Sequence, residues 1–289
     1  MFLQCRRKWA WSYVQDFQKK EGLTGPLALG SRVHAALEEY YRDGADPVAV
    51  HDRLAREALA QLETSPGPPW EENQLYEDII MGRNCIVAHQ QWLEESGEDS
   101  MFEVETVEKL IQAPILDGRV MLRGKVDVLF KHIDDGSLWV MDLKTSAANN
   151  NGVREILERS YQHHVYLTLE RLLHPEGPYV AGAMYTVMKK VRNLSRTTGP
   201  VVERFRAPAV QRTAPIKLKQ IERICTEMLE VMESLETDGN SVAYPSPQQA
   251  CRYCEYKMPC ELADESPLAA RSMLDQLFIR GSRHKRYDT

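Results

Sequence analysis

The apolar positions of this chain change period along its length, and each change marks an element. Residues 5–19 space Trp9, Tyr13 and Phe17 four apart, which predicts a helix with one apolar face. Residues 22–30 carry Gly22, Gly25, Pro26 and Gly30 and read as a loop. Ser31 then reads as the N-cap of a helix on which His34, Leu37, Glu38 and Tyr41 share a face. Two further helices, 47–64 and 71–96, are separated by Ser65-Pro66-Gly67-Pro68-Pro69 and read as an insertion before a sheet. From residue 102 the period shortens to two. Residues 102–111, 120–130 and 138–143 predict a three-stranded meander, with turns at Asp117-Gly118 and Asp134-Asp135-Gly136.

A loop containing Asn149-Asn150-Asn151-Gly152 follows, then a helix at 153–173 and a buried strand at 179–188. That connection has the length of a parallel crossover. Residues 192–213 are polar and poorly periodic and read as a loop over a site. Residues 215–235 read as a helix with Ile221, Ile224, Met228 and Met232 on one face. The order helix, three strands, helix, strand predicts an α/β fold, a mixed sheet flanked by helices. The reading is one domain over 1–289, with the insertion at 47–96 and the sheet core at 102–188.

Composition narrows the class. Hydrophobic residues are 43% of the chain, and no run approaches the roughly 18 apolar residues of a membrane span. The first residues, MFLQCRRKWAW, are too polar for a signal peptide, so a cytoplasmic location is expected. The net charge of −6 excludes a simple polycation. Contact with nucleic acid must rest on metal ions or on local basic patches. The patches are Arg6-Arg7-Lys8, Lys189-Lys190 with Arg192 and Arg196, and residues 280–286.

Candidate chemistry centres on residues 123–146. Asp142-Leu143-Lys144 puts a carboxylate and an ammonium on one strand face. Alone, such a pair is an ordinary solvated strand end. Asp127, however, stands in the apolar run Val126, Val128, Leu129, Phe130, where an unpaired charge is costly. Gln162 and Tyr166 follow four apart on one helix face. Carboxylates with a neighbouring lysine are the minimum equipment for metal-assisted phosphodiester hydrolysis with Mg²⁺ or Mn²⁺. Taken alone, His34 reads first as a partly buried histidine packed among apolar neighbours.

Six cysteines give a second signal. Cys85 and Cys225 lie inside apolar helical patterns and read as core thiols. Cys251-x2-Cys254-x5-Cys260 supplies three thiolates in ten residues, and Cys5 stands near the other end. Spacing leaves zinc and iron–sulfur equally open.

Together these residues resemble the PD-(D/E)XK nuclease superfamily, in particular its RecB-type exonuclease group with an iron–sulfur cluster. That group includes nuclease subunits of bacterial helicase–nucleases, the CRISPR-associated nuclease of spacer acquisition and phage exonucleases. Gly30, His34, Leu37 and Glu38 match G-x3-H-x2-L-E, Gly124 and Asp127 match G-x-x-D, and Asp142 and Lys144 match (D/E)-x-K. Gln162 and Tyr166 match Q-x3-Y, and Cys5, Cys251, Cys254 and Cys260 match the one-plus-three cysteine framework.

The resemblance implies a restriction-endonuclease-like fold with a Cys-rich iron–sulfur region at 244–262 joined to Cys5. It assigns His34, Asp127, Asp142 and the backbone carbonyl of Leu143 to a Mg²⁺ or Mn²⁺ site. It assigns Lys144 to the attacking water, Gln162 and Tyr166 to the DNA backbone or the metal's surroundings, and the four cysteines to a 4Fe-4S cluster. The implied activity is a DNA exonuclease on single strands or ends, in recombination, repair, or phage or CRISPR DNA processing, with a possible helicase or recombination partner. The alternatives are a structure-specific endonuclease with the same site, or a non-catalytic DNA-binding subunit.

Overall fold

The computed structural model describes residues 1–19, 22–147, 154, 161–209, 214–247 and 249–282. The chain opens with a short helix α1 (Arg6–Trp9), whose cap is the Cys5 thiol, accepting from the Lys8 amide. A wider helical turn, Ala10–Val14, follows, and then strand β1 (Phe17–Gln18). The helix expected over 5–19 therefore ends early: Asp16 takes φ +57°, a left-handed conformation no helix accommodates.

Helix α2 (Pro26–Asp43) begins earlier than expected, so Ser31 lies inside it rather than capping it. Pro26 at its first position supplies a helical φ, and the Gly25 amide donates to Asp78 at 2.5 Å. Helices α3 (Pro47–Thr64) and α4 (Pro69–Ser96) also start on prolines, and an Asp46 carboxylate caps α3. They occupy the stretch read as an insertion.

Strands β2 (Phe102–Ile115), β3 (Val120–His132) and β4 (Leu138–Ser146) form the antiparallel meander. Helix α5 is described from Tyr161 to Leu173; the expected loop 149–152 and helix start lie outside the described residues, Arg154 apart. Strand β5 (Val180–Lys189) pairs parallel to β4, as the crossover length requires. Part of the stretch read as a loop is instead a fifth strand, β6 (Val202–Pro208), antiparallel to β5. The order is β2-β3-β4-β5-β6. Helix α6 (Ala214–Asp238), α7 (Lys257–Leu262), α8 (Pro267–Leu277) and strand β7 (Ile279–Arg280) complete the described chain.

The chain divides into two compact units, Gly22–Leu218 and the joined segments Met1–Glu21 and Lys219–Thr289. In the first unit the sheet is covered on both faces. Val33, Leu37 and Ile86 of α2 and α4 pack with Val128, Phe130, Met141 and Met184. Tyr166, Leu167 and Leu169 of α5 pack with Val126, Leu129, Val140 and Val180 on the other side. The second unit has its own core: Trp11, Phe17, Tyr256, Leu274 and Phe278, with β1 paired to β7.

Candidate active site

The β3–β4 ladder stops at Val128↔Met141, one residue before Asp127 on β3 and Asp142 on β4. Beyond that point the Leu143 amide donates not to β3 backbone but to Asp127 Oδ2, at 2.8 Å. The two strands thus diverge, with a carboxylate at the fork of each. Asp142 is buried, at 3% exposure. The Gln162 amide donates to its Oδ1 at 2.7 Å, and Lys144 Nζ lies 2.7 Å from its Oδ2. The Lys144 contact is an ion pair without hydrogen-bond geometry, so the buried Oδ2 accepts no hydrogen bond.

Gln162 Nε2 also donates to Tyr166 Oη at 2.9 Å, and Tyr166 donates to the Lys125 carbonyl at 2.9 Å. This chain ties α5 to β3 and β4 and fixes the Asp142 carboxylate. It also explains Gly124: a Cβ there would meet the Tyr166 ring at 2.7 Å, so glycine admits the tyrosine. From α2, His34 Nδ1 approaches Asp127 Oδ2 at 3.5 Å and lies against the Leu143 backbone.

Burial, and next the nearby Asp142 charge, push the Asp127 carboxyl up to about 7, against the Leu143 amide and Lys144, which favour its ionised form. Burial, then Lys144, hold the His34 imidazole below its ordinary range and keep it neutral, the state in which it ligates metals. One imidazole, two carboxylates and the Leu143 carbonyl suit Mg²⁺ or Mn²⁺ in kind, and Asp142 Oδ2, buried without a hydrogen bond, is the oxygen such a cation would take in place of the Lys144 ammonium. As they stand, no three His, Cys, Asp or Glu side chains among the described residues are gathered for metal binding. Lys144 occupies the approach to Asp142 instead.

One carboxylate of this site escapes the motif reading. Glu108 on β2 lies opposite Asp127, between the pairs Val107↔Val128 and Lys109↔Val126, with φ +53°. It influences both Asp127 and His34 and pairs with Lys125 at 2.5 Å. A bulge between Val104 and Thr106 brings it there. Alternation along β2 does not reveal it: Phe102 packs on the α2–α4 side of the sheet and Ile111 and Ala113 on the α5 side, so both faces of the strand are buried.

In the other unit the cysteines are less gathered. Cys5, Cys254 and Cys260 are half-buried, and Cys5 and Cys254 lie close enough to Cys260 to add to the burial that raises its thiol. Cys251 is exposed. Arg7 is almost fully buried, pairs with Asp264 and reaches the Cys260 sulfur at 3.6 Å. The basic run at residues 6–8 therefore anchors this unit: Arg6 pairs with Glu227 and Lys8 with Glu255.

The model of the PD-(D/E)XK nuclease superfamily matches residues 1–261. No curated protein matches the chain significantly. The solved structures that align include SSO0001, at 14% identity over 73% of this chain and 95% of that one, and an alkaline exonuclease from Laribacter hongkongensis, at 12% identity over 74% and 97%. Both have a TM-score of 0.33, a likeness that carries no conclusion about this chain.

Proposed function

Because the chain belongs to the PD-(D/E)XK nuclease superfamily, we propose that it is a divalent-metal-dependent deoxyribonuclease acting as an exonuclease on single-stranded DNA or DNA ends. The observation that carries this is the fork of β3 and β4, where Asp127, Asp142 and Lys144 meet His34. His34, Asp127, Asp142 and the Leu143 carbonyl would hold Mg²⁺ or Mn²⁺. When bound, the cation polarises the scissile phosphate and lowers the pKa of a coordinated water.

The chain's own residues do the rest. Lys144, whose ammonium lies beside Asp142, would orient the attacking water. Gln162 keeps Asp142 in one rotamer, and Tyr166 keeps Gln162 in place. Both act on the geometry of the carboxylate. Cys5, Cys251, Cys254 and Cys260 match in number the ligands of a 4Fe-4S cluster with a structural role, for which Cys251 must close on the other three. No described helix is long and apolar enough to cross a membrane.

End-labelled linear and closed circular single-stranded DNA, offered with Mn²⁺, test the activity. The proposal requires the linear strand to be degraded from an end while the circle persists. Cleaved circles make it an endonuclease, and two intact substrates remove the activity altogether.

A further inference from the structure

Lys125 has no place in the chemistry above, yet it stands two residues from Asp127 on β3. On the β2 side Lys125 pairs with Leu110, two residues beyond Glu108, which itself lies opposite Asp127. Lys144 is spent on the buried Asp142. Lys125 is more than a third exposed, and its ammonium is held 2.5 Å from Glu108. Its backbone is fixed, because its carbonyl accepts from Tyr166 in the chain that ends on Asp142. A rigid backbone beneath a mobile, exposed ammonium suits a group that must find an anion near one fixed point.

Glu108 gives that ammonium a partner until the anion arrives. Its left-handed φ of +53° is costly for a glutamate. Opposite Asp127, it adds a third carboxylate where like charges repel. Resting on the nuclease reading above, we propose that Lys125 binds a backbone phosphate of the substrate strand beside the cleavage position, and that this phosphate displaces Glu108 from it. The two residues then act with opposite signs: the lysine adds to binding, and the glutamate competes with the substrate for it.

The test is fluorescence anisotropy with a labelled single-stranded oligonucleotide at several salt concentrations, in chelator so that nothing is cleaved. Lys125→Met should weaken binding and lower the slope of log affinity against log salt by about 0.7, the value of one phosphate contact on a single strand. Lys125→Arg should restore most of that slope. Glu108→Gln should tighten binding at the same salt. Melting curves of all three confirm folding. An unchanged slope in Lys125→Met, or a Glu108→Gln variant that binds no tighter, overturns the inference while leaving the nuclease reading intact. A wild-type protein that binds no DNA at any salt and cleaves none with Mn²⁺ overturns both.

Discussion

The sheet fork and the cysteine region carry the same kind of sequence signal, a few liganding residues at family spacing, but they are built differently. At the fork, His34, Asp127, Asp142, Lys144, Gln162 and Tyr166 reach one another from β3, β4, α2 and α5. Ladder register and an apolar core on both faces fix those elements, so convergence needs no ligand. The cysteines sit on short turns and six-residue helix α7, and Cys251 is exposed. Strands pre-assemble a site, whereas a thiol cluster on loops is completed by the metal it binds.

The largest expected effect sharpens the first half of that contrast. Lys144→Ala should lower the cleavage rate by on the order of 10²–10⁴-fold, as for loss of a positioned proton-handling group, with DNA affinity nearly unchanged. Rates and anisotropy on the same preparation check it, and near-normal cleavage would exclude Lys144.

The cysteine region gives the next largest effect. Protein purified without oxygen should carry about four irons per chain. Cys251→Ser and Cys5→Ser should lose the iron and lower the melting temperature, while Cys85→Ala keeps the iron. One zinc and no iron in elemental analysis would refute the cluster. The fork would be untouched, since the two sites share no residue.

A third effect is the pH dependence of the metal-free fork. Folding raises the Asp127 pKa from near 4 to about 7. The stability this proton contributes is complete below about pH 4 and is lost as pH rises through about 7. The melting temperature of chelated protein should therefore fall between about pH 5 and about pH 8, and Asp127→Asn should reduce that slope. Affinity for Mg²⁺ should rise over the same window, because the cation competes with the proton. A slope unchanged by Asp127→Asn would contradict the assignment.

Smaller again is Tyr166→Phe, which leaves the Lys125 carbonyl without its donor. It should cost about 1 kcal/mol of stability and slow cleavage only modestly. Calorimetry and rates together distinguish this from the larger loss a direct metal ligand would give.

Much of the fork was legible because period-two alternation fixes which face a strand residue takes. Asp127 stood out as a charge amid apolar neighbours, and Asp142-x-Lys144 followed from the hairpin. What stayed hidden depends on contacts distant in sequence. Arg204 and Arg206 made β6 look like a polar loop. In the fold Arg204 is buried over the Trp92 ring and bound to Asp99, and Arg206 pairs with Glu98. The end of α1 turned on a backbone conformation at Asp16. The bulge before Glu108 left no mark in the alternation, because β2 buries residues on both of its faces.

The most direct measurement is a Mn²⁺ titration of cleavage by wild-type protein and by Asp142→Asn, paired with calorimetric Mn²⁺ binding to both. Wild type should bind the cation and cleave in proportion to its occupancy. Asp142→Asn should stay folded, bind Mn²⁺ far more weakly and cleave little at any concentration. Equal binding and equal rates for the two proteins would contradict a metal-dependent nuclease site at the β3–β4 fork.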